Sequence, residues 1–121
     1  MDHAHDVTEK LRGPALELRG EIPEVLRAYA GLSRAAMSDG AISVKVKELA
    51  ALAIAITREC DGCIVAHVRN LVRAGASRRE VAELIGVAIV MNGGPATVWG
   101  PRALAAFDQV VAERSSASPN R

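Results

Sequence analysis

Residues Ser43 to Gly75 read SVKVKELAALAIAITRECDGCIVAHVRNLVRAG. Ser43 suits a helix N-cap, and Val46, Leu49, Ala50, Ala53, Ile54 and Ile56 follow at helical spacing. Lys45 and Lys47 mark a solvent face at the start, but after Glu48 the stretch is apolar nearly all round. Such a helix is buried on most sides, inside the domain or in an oligomer. Asp61-Gly62 is poor helix-interior material, so the chain is expected to break near Thr57 and restart about Glu59 or Cys60. The second helix then carries Ile64, Val65, Val68, Leu71 and Val72, and ends at Gly75, a good C′ residue.

The same punctuation extends outward in both directions. A short amphipathic stretch from Val7 to Arg12 is expected to stop at Gly13-Pro14. Pro23 opens the next helix, with Val25, Leu26, Tyr29, Leu32, Ala36 and Met37 at helical spacing and Asp39-Gly40 at its end. Ser77-Arg78-Arg79-Glu80 is a capping-box pattern, followed by Val81, Leu84, Ile85, Ala88 and Ile89 on one face. Asn92-Gly93-Gly94 stops that helix and Pro95 opens the last, whose apolar side holds Leu104, Phe107, Val110 and Val111. Pro101 should kink or restart it, and Ser115 to Arg121 reads as a disordered tail. No period-2 alternation, internal repeat or dividing linker occurs, so the reading is one all-α domain over residues 1–121.

Composition supports that class. Of 121 residues 50% are hydrophobic and 22 are alanine, while Trp99, Tyr29 and Phe107 are the only aromatics. A sandwich or small barrel would need more aromatic and β-branched residues. Fifteen basic against 14 acidic residues leave +1, which excludes a bulk electrostatic draw to nucleic acid or an anionic membrane. The longest apolar run, Leu49 to Ile56, falls well short of the roughly 20 residues that span a bilayer. The start, Met-Asp-His-Ala-His-Asp, lacks the pattern of a secretory signal, and two cysteines are too few for a disulfide scaffold. A cytoplasmic protein is the expectation.

Both cysteines fall in one short motif, C-x2-C-x3-H, formed by Cys60, Cys63 and His67. On a helix, Cys63 would lie about 60° and His67 about 20° around from Cys60, one shared stripe. A thiol attacks only as thiolate, which the positive end of a helix and an adjacent imidazole both favour. A second thiol three residues away can condense with an oxidised sulfur. Cys60 is flanked by Glu59 and Asp61, partly offset by Arg58, whereas Cys63 neighbours His67 at i, i+4, so local electrostatics favours Cys63 as nucleophile. Glu48 lies twelve residues before Cys60. The break at Thr57 would let the second helix fold back and bring this carboxylate to His67 or a water, since burying it alone is costly.

The composite E-x11-C-x2-C-x3-H of Glu48, Cys60, Cys63 and His67 resembles the signature of the alkylhydroperoxidase D-like, or carboxymuconolactone decarboxylase-like, family. KELAALA before the motif and HVRNLVRAGASRREV after it agree, and the likeness covers about residues 20 to 112. The resemblance implies an antiparallel helical bundle of about six helices, with no cofactor. It implies a catalytic set in which Cys63 is peroxidatic, Cys60 resolving, and Glu48 with His67 the proton relay. It further implies a hydroperoxide substrate, an external dithiol reductant of lipoyl or thioredoxin type, and a homo-oligomer, commonly a trimer or hexamer. The best-known peroxidase members carry a second histidine where this chain has Gly62, so the implied relay is thinner. The decarboxylase branch typically lacks the cysteine pair.

Other readings of these residues differ in class. The dithiol could be core filler or a redox sensor in a non-enzymatic helical oligomer. Two thiolates, an imidazole and Glu48 could hold zinc, although structural zinc usually joins separate loops. Met1-Asp2-His3 could bind Cu(II) or Ni(II) through a free amino terminus. Arg69, Arg73, Arg78 and Arg79 lack the aromatics that a nucleic-acid surface would add, and read as a solvated face. Gly93-Gly94-Pro95 reads as a helix stop rather than a phosphate loop, and Trp99 as a packing residue.

Overall fold

The computed structural model describes residues 3–116. They form six helices: α1 (His3–Glu21), α2 (Pro23–Met37), α3 (Val44–Thr57), α4 (Asp61–Arg73), α5 (Arg78–Asn92) and α6 (Gly94–Ser116). There is no strand among them, and no helix is long and apolar enough to cross a membrane. The all-α class expected from the periodicity is the class observed.

The helix ends follow their local chemistry. Ser43 caps α3 by accepting from the Val46 amide, and Ser77 and Glu80 make the full reciprocal box at the start of α5. The bond from the Ser77 amide, together with Lys45 at 2.9 Å, holds the Glu80 carboxyl below its ordinary value. Gly75 ends α4 at φ +80°, with the Ala76 amide returning to the Leu71 carbonyl.

Helices α3 to α6 pack on one another around Leu52, Ile56, Ile64, Val68, Leu71 and Val81, all essentially without solvent contact. Gly100 lets α6 approach α5 closely: a Cβ there would stand 2.5 Å from Ile85 Cγ2. The first turns of α1 join this core. Ala4 is buried and its amide donates to Gln109 Oε1, while Arg69 bridges Thr8 and Glu113.

Two prolines behave differently from their sequence signal. The short helix expected to stop at Gly13-Pro14 continues to Glu21, and α6 runs through Pro101 without restarting. Each proline has no N–H to donate to the carbonyl four residues earlier, that of Lys10 or Thr97. Those residues and both prolines are exposed, so water can satisfy what the ring removes. Ser115 and Ser116, expected in the tail, close α6; residues 117–121 of that tail lie outside the described residues.

Helix α2 departs more from expectation. Its apolar residues fall at helical spacing as read from the sequence, yet no residue of α2 is buried, and Tyr29 and Leu32 are 66% and 65% exposed. Residues 9–21 of α1 are exposed as well. The Lys47 ammonium ties the end of α2 to α3 by donating to the Ala36 and Ser38 carbonyls.

Candidate functional site

The reversal between α3 and α4 positions the site. Arg58 ends α3, Glu59 turns the chain in the left-handed region at φ +54°, and the Cys60 amide donates to the Ala55 carbonyl. A left-handed non-glycine residue costs about 1 kcal/mol, a local strain that the packed helices on either side impose. Cys60 then serves as the N-cap of α4, its sulfur accepting from the Cys63 amide at 3.2 Å. The stripe expected for three helical residues is therefore slightly different: Cys60 stands just outside the helix, with Cys63 and His67 inside it.

Cys60 and Cys63 are joined as a disulfide, their Cα atoms 5.2 Å apart. Cys63 lies in the first turn of α4 and is exposed, whereas Cys60 is half-buried. Both open onto a shallow recess shared with His67, Arg58, Ala51 and Ile54. Gly62 faces away from that recess, toward α1, where a Cβ would come within 3.3 Å of Leu11 Cδ1. A side chain at this position would enter the α1–α4 groove.

Glu48 meets His67 as the folded-back helix would allow. The carboxylate is only 4% exposed, and its Oε1 lies 2.7 Å from His67 Nδ1. Asn70 Nδ2 donates to the other oxygen at 3.1 Å, and Arg73 Nη2 donates to Asn70 Oδ1 at 2.6 Å. The structure thus brings together all four sequence-selected residues and adds Asn70, which sequence reasoning passed over. The only available signal was its i+3 spacing from His67 and the match of its amide to a buried carboxylate.

The other candidate sites look different in three dimensions. No group of three or more His, Cys, Asp and Glu side chains converges on a metal position among the described residues. Met1 and Asp2, part of the proposed copper-type terminus, lie outside the described residues, and His3 Nε2 sits 3.3 Å from Asp61. Of the basic cluster, Arg69 pairs with Glu113, Arg78 with Asp108 and Arg79 with Glu83. Trp99 is half-buried against the core, with the Arg102 guanidinium 4.7 Å above its ring.

A family model described as the carboxymuconolactone decarboxylase family matches residues 23–109, from the first turn of α2 into α6. The chain belongs to this family. An uncharacterized protein of Cupriavidus necator is 38% identical over 86 residues, covering 71% of this chain and 76% of that one. The alkyl hydroperoxide reductase AhpD of Coxiella burnetii is 34% identical over 70 residues, or 58% of this chain and 40% of AhpD. The crystal structure of a carboxymuconolactone decarboxylase family protein from Legionella pneumophila superposes with a TM-score of 0.87 at 36% identity. That superposition covers 91% of this chain and 98% of the Legionella chain. A family named for a decarboxylase, with an alkyl hydroperoxide reductase among the relatives, fits both the fold and a redox-capable dithiol.

Proposed function

We propose that the chain is a thiol-dependent peroxidase, or more broadly a dithiol–disulfide oxidoreductase, acting through Cys63. The observation that carries this reading is an exposed Cys63, bonded to Cys60, sharing a recess with an imidazole that a buried carboxylate orients. In the reduced protein, His67 takes the Cys63 proton, and the thiolate gains from the N-terminal turn of α4. The thiolate attacks one peroxide oxygen: an S–O bond forms, the O–O bond breaks, and the departing alkoxide takes the proton held by His67 to leave as alcohol. The Cys60 sulfur then attacks the sulfenic acid, forming the disulfide and releasing water. An external dithiol, of lipoyl or thioredoxin type, returns both sulfurs to thiols by exchange.

Two further parts belong to this reading. A cytoplasmic setting suits a dithiol that must be returned to its reduced form in each cycle. The working unit is a homo-oligomer, a trimer or hexamer, because α2 exposes its apolar face in the single chain. Gly62 removes the second histidine of the best-known peroxidase members, so His67 alone handles the proton at the sulfurs.

The test is intact mass after treating the reduced protein with one equivalent of cumene hydroperoxide. Wild type should lose two hydrogens, Cys60→Ser should give a trappable sulfenic acid at Cys63, and Cys63→Ser should not react. Thiols no faster than free cysteine would remove the peroxidase reading and leave a structural or slowly sensing dithiol.

A further inference from the structure

Arg73, Asn70, Glu48 and His67 form a chain of hydrogen bonds whose direction is fixed by chemistry. A guanidinium can only donate, so the 2.6 Å contact from Arg73 Nη2 assigns the facing atom of Asn70 as Oδ1. The amide nitrogen must then face Glu48, and an NH2 group can only donate. Glu48 Oε2, at 3.1 Å, is its acceptor. The remaining oxygen meets His67 Nδ1 at 2.7 Å, and with Oε2 already accepting, the carboxylate is satisfied by a second donor. His67 then carries its proton on Nδ1. Its Nε2, which has no protein partner among the described residues, is left as an acceptor. The spacing 67, 70, 73 keeps three of the four groups on neighbouring positions of α4.

We propose that Asn70, held by Arg73, is a positioning residue that fixes the tautomer of His67 through Glu48. Which ring nitrogen bears the proton is set by the bond the other one makes, and here that bond is set two residues further back. Without Asn70, Glu48 can bind a proton from solvent and donate it to Nδ1, and the neutral ring then carries its own proton on Nε2. The Nε2 acceptor is then no longer guaranteed. The consequence for reactivity rests on the relay proposed above, but the tautomer does not.

The experiment is long-range 1H–15N correlation on the reduced protein, with His67→Gln identifying the His67 signals among three histidines. Wild type should show the neutral ring as the Nδ1–H tautomer. Asn70→Leu should give a mixture, and Asn70→Asp, which keeps the shape but turns an acceptor toward Glu48, should shift the ring further. Arg73→Ala, at an exposed position, should show a smaller change of the same sense and needs no half-buried substitution. An Nε2–H ring in wild type, or a ratio unmoved by every one of these variants, overturns the proposal. In a Cys60→Ser background, Cys63 alkylation at pH 7 should slow about tenfold with Asn70→Leu, the size of one charge-assisted hydrogen bond. A tautomer that shifts while alkylation stays constant upholds the positioning role and overturns the relay.

Discussion

Glu48 is the residue whose burial most needs an account, because an ionised carboxylate this enclosed is costly without partners. Its two oxygens have two donors, His67 and Asn70, from one helix. Glu48→Gln keeps the volume but turns an NH2 against one of those donors. That change should cost about 1–2 kcal/mol in urea denaturation, since one donor loses its acceptor. Cys63 alkylation should slow about tenfold or more. A variant that loses stability while alkylating at the wild-type rate would make Glu48 a structural anchor only. The Glu48–His67 meeting was legible in the sequence because a buried carboxylate needs a partner and the break at Thr57 supplied the fold-back. Asn70 was not legible, because a polar residue inside an amphipathic helix reads as solvated face until the opposite helix is in place. Gly62 was legible as a departure, but its physical setting was not: only the structure shows α1 lying over that position.

At the scale of elements, caps and turns were the readable part, and helix-breaking signals the unreliable part. Ser43, Ser77 and Gly75 work as their side chains and backbone freedom dictate, because capping is decided within four residues. Pro14 was overread as a stop, and Pro101 does not restart its helix, because the loss of one hydrogen bond is small where water reaches the carbonyl. The close packing of α5 on α6 depends on a residue that periodicity treats as weak helix former. Gly100 is buried, and a methyl added there would meet Ile85 Cγ2, a branched atom near the backbone with little room to turn away. Gly100→Ala should therefore destabilise the protein by about 1–3 kcal/mol despite its better helix propensity, read as a lower urea midpoint with unchanged slope. Its cost should shrink when Ile85→Ala is already present. Equal losses in both backgrounds would place the strain elsewhere.

At the scale of the whole molecule, the chain divides into a packed core of α3 to α6 and an arm made of α2 and the second part of α1. Isolated helices below about 12–15 residues are marginal in water, and most helical stability in proteins comes from packing an amphipathic face. The arm has that face in Val25, Tyr29 and Leu32, all of which are exposed. Val90 and Met91 on α5, each 79% exposed, are a second apolar surface on the core. In the homo-oligomer proposed above, a second copy would cover both, and an arm engaging a different surface of the next chain would be the head-to-tail contact from which a closed trimer is built. Light scattering should give a mass that is a multiple of the 12.7 kDa chain. Leu32→Glu, which puts a charge on the arm without touching the core or the dithiol, should lower that mass toward one chain. It should also speed amide exchange in α2 while leaving α3 to α6 protected. A wild-type chain that is monomeric at micromolar concentration, with α2 amides already protected, would show that the arm is stable by itself and that no second copy is needed.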